Sequence, residues 1–143
     1  MNRLEDLLST VEGYRDAMID EMTAMLRIPA MGPENGGEGE FDRARFIEGL
    51  VRRCGFQDVE TYDSLDERVK LKVRPSVIAK CRGASERTVW FVSHMDTVSP
   101  GDAKAWKYPP FDGTVADGKL YGRGSEDNGQ AVISTLFALR AML

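Results

Sequence analysis

A short run of apolar and β-branched residues over positions 88–93 (TVWFVS) constrains the fold more than any other segment of the chain. Strands that are buried on both faces have this composition, and they occur in parallel sheets that are covered by helices. The run therefore predicts a central strand of an α/β domain. His94 follows at the carboxyl edge of this predicted strand, where open α/β sheets place their ligands.

The rest of the pattern predicts helices alternating with further strands. Apolar residues at helical spacing predict a helix over residues 3–26, and a second helix over 41–53 is followed by Gly55. β-Branched and aromatic segments predict further strands, with 76–82 as the neighbour of 88–93. These predicted strands are 57–62, 76–82 and 119–121. The glycine-rich and proline-containing segments 31–40 and 100–118 predict loops, and the charged segment 64–74 predicts a solvated surface.

Residues 131–143 predict an almost wholly apolar helix with no capping glycine and no polar closing segment. A helix of this kind must be buried on nearly every side. We therefore expect residues 1–143 to be part of a larger domain. The alternative is a C-terminal helix that docks in the core of a complete domain.

Composition limits the classes of function. The 143 residues are 42% hydrophobic and 29% charged, which permits one folded domain and excludes a disordered tail. A net charge of −4 does not favour nucleic acid as a partner, and no apolar run predicts a membrane span. Cys54 and Cys81 cannot form a disulfide framework and the first residues lack a signal-peptide pattern, so a cytoplasmic location is predicted.

His94, the single histidine of the chain, lies two residues before Asp96. On an extended chain the two side chains point to the same face, and a neighbouring carboxylate fixes the tautomer of an imidazole that binds a metal. The pair is therefore a candidate metal site. The alternative is a partly buried histidine satisfied by a local hydrogen bond, because so short a motif carries little specificity.

A second candidate segment is the glycine-punctuated turn over residues 117–129 (DGKLYGRGSEDNG), which begins with the hairpin signal Asp117-Gly118. A phosphate loop is excluded because Gln130-Ala131 replaces the required lysine and hydroxyl residue. Glu126 and Asp127 would repel phosphate and favour a cation. The alternative is capping of the following helix by Asp127 or Asn128.

Taken together and in order, these segments resemble the co-catalytic zinc amidohydrolases and exopeptidases. This family includes acetylornithine deacetylase, succinyl-diaminopimelate desuccinylase, carboxypeptidase G, aminoacylase and carnosinase-like dipeptidases. The segments that carry the resemblance are 94–98 (HMDTV), 100–102 (PGD), Trp106, 110–111 (PF), 117–124 (DGKLYGRG) and Asp127. Ser93 and residues 125–130 (SEDNGQ) differ from the residues that are commoner in the family at these positions, but the ligand positions are kept.

The resemblance implies a three-layer α/β catalytic domain with a mainly parallel mixed sheet, of which residues 1–143 are the N-terminal, metal-binding portion; the lid domain is absent from this chain. It implies two Zn²⁺ (or Co²⁺) ions bridged by a carboxylate. His94 is implied as a ligand to one metal, Asp127 as the bridge, and Asp96 as the catalytic carboxylate that orients His94. It also implies a cis peptide bond between Asp127 and Asn128.

For the full-length enzyme the resemblance implies a homodimer that cleaves the amide bond of small N-acyl amino acids or short peptides by a metal-activated water. The family takes its general base and one ligand from a Glu-Glu pair and a further ligand from a late histidine. This sequence contains no Glu-Glu and no second histidine. We therefore expect the chain alone to be inactive. The alternative is a non-catalytic module, or one half of a split enzyme that pairs with another chain.

Overall fold

Helices alternate with two small hairpins along the chain in the computed structural model, which describes residues 2–143. The helices are α1 (Arg3–Gly13), α2 (Arg15–Leu26), α3 (Phe41–Arg53) and α4 (Gln130–Arg140). The strands are β1 (Asp58–Leu65), β2 (Val73–Lys80), β3 (Thr114–Ala116) and β4 (Lys119–Tyr121). Short 3-10 turns lie at Pro33–Asn35 and Ala103–Ala105, and an irregular helical turn at Ser125–Gly129 leads into α4.

The helix predicted over residues 3–26 forms as two helices. The break falls at Tyr14 (φ −88°, ψ 0°), directly after Gly13, whose helix propensity is poor. The two parts differ in burial: α1 buries no residue, whereas α2 contributes Met22, Met25 and Leu26 to the core. The prediction for α3 is confirmed at both of its bounds.

The core lies where α2, α3 and α4 meet. Apolar side chains of α3 and α4 that recur at helical spacing face α2, and the ring of Phe137 meets the edge of Tyr14 at a centroid distance of 5.6 Å. The buried members from these two helices are Ile47, Leu50, Val51, Val132, Ile133, Leu136 and Phe137. The prediction that α4 is buried is confirmed on this face, while Met142 and Leu143 beyond its end are exposed.

Two antiparallel hairpins flank the helices. β1 pairs with β2 in a register that places Asp58 opposite Lys80, and this hairpin packs against α3. β3 pairs with β4 through Asp117 and Gly118, which have φ values of +53° and +70°. Positive φ at both central residues is the geometry that matches the twist of a two-residue hairpin, so the turn predicted at Asp117-Gly118 is confirmed.

The prediction of a buried central strand at residues 88–93 is wrong for this structure. The segment forms no strand and does not pair with β2, whose partner in its two-stranded sheet is β1. Its apolar side chains lie in solvent: Val89, Trp90, Phe91 and Val92 are 75%, 69%, 60% and 86% exposed. Composition indicated how much these residues gain from burial, but burial requires a second surface. No element among residues 2–143 covers them.

The loop predictions are confirmed only in part. The segment 100–118, predicted as a loop, contains the strand β3, and the charged segment 64–74 includes the ends of β1 and β2. The charged stretch between β1 and β2 is a solvated turn from which only Val69 is buried. Met31 and Thr97 form a single parallel bridge that ties the 31–40 loop to the segment following His94. Of the helices that the structure describes, none is both long and apolar enough to cross a membrane.

Candidate metal centre

The segment that carries His94 and Asp96 is held by the loop that follows α2. The backbone N–H of Thr97 donates to the carbonyl of Ala30 at 2.8 Å, next to the parallel bridge with Met31. The carbonyl of Met95 accepts a hydrogen bond from Arg43 Nη1 at 2.9 Å. The backbone on both sides of Asp96 is therefore fixed to the helical part of the molecule.

Asp127 is presented by the turn between β4 and α4. The N–H of Gly129 donates to the carbonyl of Gly124 at 2.9 Å and closes this turn. Gly124 has a φ of +84°, and a Cβ atom there would lie 2.6 Å from Cγ2 of Thr97. A glycine is required at this position, because the turn packs directly on the segment after His94.

The peptide bond between Asp127 and Asn128 is cis, as the resemblance implied. The alternative, in which Asp127 or Asn128 caps the following helix, is wrong for this structure. The N-cap of α4 is Gly129, and no side chain forms a capping hydrogen bond there.

His94 lies between two carboxylates. Its Nε2 is 2.9 Å from Oδ1 of Asp127. Its Nδ1 is 3.1 Å from the backbone oxygen of Asp96 and 3.4 Å from Oδ1 of the same residue. The structure thus brings together all three residues that the sequence singled out, and it also contains the local hydrogen bond that the alternative interpretation expected.

The site is open and its electrostatics favour a cation. The side chain of Asp127 is 81% exposed, and that of His94 is half exposed. Partial burial lowers the pKa of His94, but the hydrogen bond with Asp127 and the nearby charge of Asp96 outweigh it, so the pKa lies above its usual value. A site that stabilises the positive imidazolium is one in which negative charge exceeds positive charge.

The donor set fits part of a metal site. An imidazole nitrogen and a carboxylate are both ligands that Zn²⁺ accepts, and a carboxylate on the other ring nitrogen is the usual support for such a histidine. Within residues 2–143, however, no group of three or more His, Cys, Asp or Glu side chains is placed to hold a metal ion. His94 and Asp127 therefore fit two ligand positions, and a structural zinc site requires four.

Trp106 and Arg123 pack against each other beside the long loop. Trp106 donates from its indole nitrogen to the carbonyl of Pro100 at 2.9 Å, and the guanidinium of Arg123 lies 5.1 Å from the centre of its ring. These contacts order the long loop between residues 100 and 118.

Sequence reasoning missed Arg43, which is one of the most deeply buried side chains of the structure. It lies on the buried face of α3 in helical register with Ile47 and Leu50. An arginine at such a position in the apolar stripe was a signal that could have found it.

Comparison with known proteins adds the family context. The sequence model of Peptidase family M20/M25/M40 matches residues 90–143, which include all three site residues. The chain is 32% identical over 120 residues to an uncharacterized metallohydrolase of Methanocaldococcus jannaschii, a match that covers 81% of this chain and 29% of the relative. It is 34% identical over 122 residues to succinyl-diaminopimelate desuccinylase of Methylorubrum extorquens, covering 84% of this chain and 29% of the relative.

Two solved structures share the fold. Human carnosine dipeptidase 1 matches with a TM-score of 0.79 and 24% identity, covering 99% of this chain and 32% of that one. A di-peptidase of Saccharomyces cerevisiae matches with a TM-score of 0.76 and 19% identity, covering 96% and 32%. The predicted fold class, an incomplete α/β domain, is confirmed by these matches.

The chain spans about a third of the length of the relatives and structures that it matches. The family model, the metallohydrolase and desuccinylase relatives and the shared fold agree. Residues 90–143 therefore resemble peptidase family M20/M25/M40, and the chain resembles its metallohydrolase and desuccinylase relatives over about a third of their length.

Proposed function

We propose that this chain is the N-terminal, metal-binding portion of the catalytic domain of a hydrolase that cleaves the amide bond of N-acyl amino acids or short peptides. The observation that carries the proposal is the contact between His94 Nε2 and Asp127 Oδ1, backed by Asp96 on the other ring nitrogen. The resemblance to peptidase family M20/M25/M40 supports hydrolysis, and the small substrates follow the names of the desuccinylase and dipeptidase relatives.

His94 would bind the metal through Nε2, and Asp127 would bind it through its carboxylate. Nδ1 would then carry the proton and donate a hydrogen bond to the backbone oxygen of Asp96, which would fix the tautomer. The carboxylate of Asp96, 3.4 Å from Nδ1, would stabilise positive charge on the ring when a metal is bound. The side chain of Asp127 is largely exposed, so its carboxylate would be accessible to a metal ion.

When bound, a divalent metal provides Lewis-acid activation of water and of the amide carbonyl. The overall reaction breaks the carbon–nitrogen bond of the amide, adds the oxygen of water to the carbonyl carbon and passes a proton to the leaving amine. We propose two Zn²⁺ or Co²⁺ ions for the full-length enzyme, which would act as a cytoplasmic homodimer. The general base and the remaining ligands lie outside this sequence, so the chain alone is expected to be inactive.

A chimera tests this proposal. Residues 1–143 would replace the matching segment of the M. extorquens desuccinylase, and hydrolysis of succinyl-diaminopimelate would be followed with Zn²⁺ or Co²⁺. We expect turnover by the chimera and its loss, by about two orders of magnitude or more, in the same chimera with His94→Ala. A folded chimera whose activity does not change with His94→Ala would refute the assignment. Robust turnover by the isolated chain would refute the partial-domain proposal.

A second candidate function is a non-catalytic module or one half of a split enzyme. The exposed apolar side chains of residues 89–92 favour it, because a surface of this kind marks a protein interface. Sedimentation of the purified chain with a separately expressed C-terminal two-thirds of the desuccinylase distinguishes the candidates. A stable complex without hydrolysis would favour the module, a complex with hydrolysis would favour the split enzyme, and no complex would argue against both.

A further inference from the structure

Arg43 connects three parts of the structure through its guanidinium group. From the third residue of α3, Nε and Nη2 both donate to the carbonyl of Ile28, beyond the end of α2. Nη1 donates to the carbonyl of Met95 at 2.9 Å. Met95 is the residue between His94 and Asp96, so one arginine holds the peptide unit that separates the two site residues.

The burial of this side chain makes the arrangement unusual. Arg43 is only 2% exposed, whereas Arg45, Arg52 and Arg53 of the same helix are half exposed and pair with surface glutamates. Burying a guanidinium costs free energy unless its N–H groups are bonded. Burial lowers the pKa of Arg43 to about 10, although the negative charge of Asp96 acts to raise it. The guanidinium therefore remains a cation at neutral pH.

We infer that Arg43 is a positioning residue of the metal centre, which fixes the peptide between His94 and Asp96 so that the imidazole faces Asp127. This inference rests on the proposed metal-binding role of His94 and Asp127. Nothing in the sequence motifs assigns a role to Arg43, which lies 51 residues before His94 in the chain.

The contacts show why an arginine is suited to this position. Its planar fork presents donors in two directions, and here they reach carbonyls of two separate segments. A lysine has one nitrogen on a flexible stem and would reach one of the two carbonyls well. A second hydrogen bond, from the N–H of Thr97 to the carbonyl of Ala30, holds the backbone after Asp96. The bond from Arg43 to Met95 holds the backbone before Asp96, next to His94.

Two variants separate positioning from stability. Arg43→Lys keeps the charge and removes the fork, whereas Arg43→Gln removes both. Arg45→Gln is the control on the same helix, because Arg45 is exposed and contacts Glu48 and the ring of Phe41, away from the His94 segment. Val51→Ala is the control for stability, because it removes buried methyl groups from α3 without touching the His94 segment.

Two measurements are made on the 143-residue chain. Since His94 is its only histidine, the ring ¹⁵N signals report directly on the hydrogen bond between Nδ1 and the oxygen of Asp96 without metal. Titration with Co²⁺ then gives the affinity and the visible spectrum of the site. We expect Arg43→Lys to shift the ring signals and weaken Co²⁺ binding by about tenfold, with a larger loss in Arg43→Gln. Arg45→Gln and Val51→Ala should stay within about twofold of the parent chain.

The outcomes are distinct. If both Arg43 variants fold and keep the parent ring signals and Co²⁺ affinity, Arg43 only links α2 to α3 and the inference is wrong. The inference is equally wrong if Val51→Ala reproduces their losses, or if neither variant folds, because the role is then one of general stability. If the parent chain binds no Co²⁺ while the ring signals change in the Arg43 variants alone, the positioning role stands, and the chimera with His94→Ala decides the proposed function separately.

Discussion

His94 Nε2 and Asp127 Oδ1 lie 2.9 Å apart although 33 residues separate them in the chain. The contact joins the segment after the exposed run 88–93 to the turn before α4, and each of these is fixed by its own backbone hydrogen bonds. The two side chains therefore meet on preformed supports. A site of this kind keeps its geometry when one of its side chains is changed, which makes single substitutions informative.

Asp127→Asn should remove metal binding without destabilising the chain. The substitution deletes the charge that a divalent cation needs, whereas the side chain is largely in solvent and its loss leaves no buried group unpaired. We expect the Co²⁺ affinity to fall by about tenfold or more, with the free energy of unfolding changed by less than about 0.5 kcal/mol.

Asp117→Asn provides the control for this substitution, because Asp117 is a similarly exposed carboxylate that pairs with Lys107 outside the site. Isothermal titration with Co²⁺ and denaturant unfolding make the two measurements. Equal Co²⁺ affinities for the two variants would contradict the role of Asp127.

The pKa of His94 should lie above that of a histidine in an unfolded chain, because its bonds to Asp127 and Asp96 favour the protonated ring. A raised folded-state pKa means that this contribution to stability is fully present below the unfolded pKa of about 6.5 and is lost as the pH rises through the folded value. Protons and metal compete for the ring, so metal binding should strengthen over the same rise in pH.

An NMR titration of the single imidazole measures this pKa directly. Asp127→Asn should lower the midpoint, because the charged acceptor is replaced by a neutral one. A midpoint at or below the ordinary histidine value in the parent chain would contradict the observed contact.

Local signals in the sequence predicted local structure well. The bounds of α3, the β3–β4 turn at Asp117-Gly118 and the short strand β4 follow from helical spacing and from turn chemistry. The site residues were found in the same way, because each lies in a local pattern. One pattern is a single histidine two residues before an aspartate, and the other is a glycine-rich turn that carries carboxylates. Their role as ligands stays a prediction.

Features that depend on distant surfaces were missed. Residues 88–93 have the composition of a buried strand, but hydrophobicity states only that burial is favourable and not that a covering surface is present. Arg43 was missed for the converse reason: a charged residue is expected in solvent, and only the carbonyls of Ile28 and Met95 explain its burial. The helix break at Tyr14 was also missed; it directly follows Gly13, and the ring of Tyr14 packs against Phe137 of α4.

Gly124→Ala should disturb both the turn and the site. A Cβ atom at this position would meet Thr97 Cγ2 at 2.6 Å, so one of the two segments must move. Gly36→Ala is the matched control, because Gly36 has a similar φ of +74° and open space around it. The control should cost about 1 kcal/mol for the left-handed backbone alone, and Gly124→Ala about 1–3 kcal/mol more for the overlap.

Denaturant unfolding measures this difference, and the His94 ring signals show whether the site has moved. Equal free energies of unfolding for the two glycine variants would mean that the turn does not pack on Thr97 in solution.

Arg74→Met should destabilise the chain more than loss of a surface ion pair. Arg74 Nε donates to Oε1 of Glu40 at 2.8 Å, and Glu40 is buried with its second oxygen unpaired. Removing the partner leaves a buried charge without compensation, which should cost about 2–4 kcal/mol. Lys70→Met, which removes an exposed pair with Glu38, should cost less than about 0.5 kcal/mol in the same urea titration. Similar losses for the two variants would show that Glu40 is solvated.

The exposed run 88–93 should make the isolated chain associate with itself. Val89 and Val92 are both largely exposed, and the backbone of the segment pairs with no strand of the described residues. Edges of this kind pair with other chains unless charge opposes the contact. The double variant Val89→Lys/Val92→Lys should therefore lower the sedimentation coefficient measured at high protein concentration. Val115→Lys, at an exposed position of β3, should leave the sedimentation coefficient unchanged. Identical sedimentation of all three chains would show that the segment is covered in solution, in a way that differs from this structure.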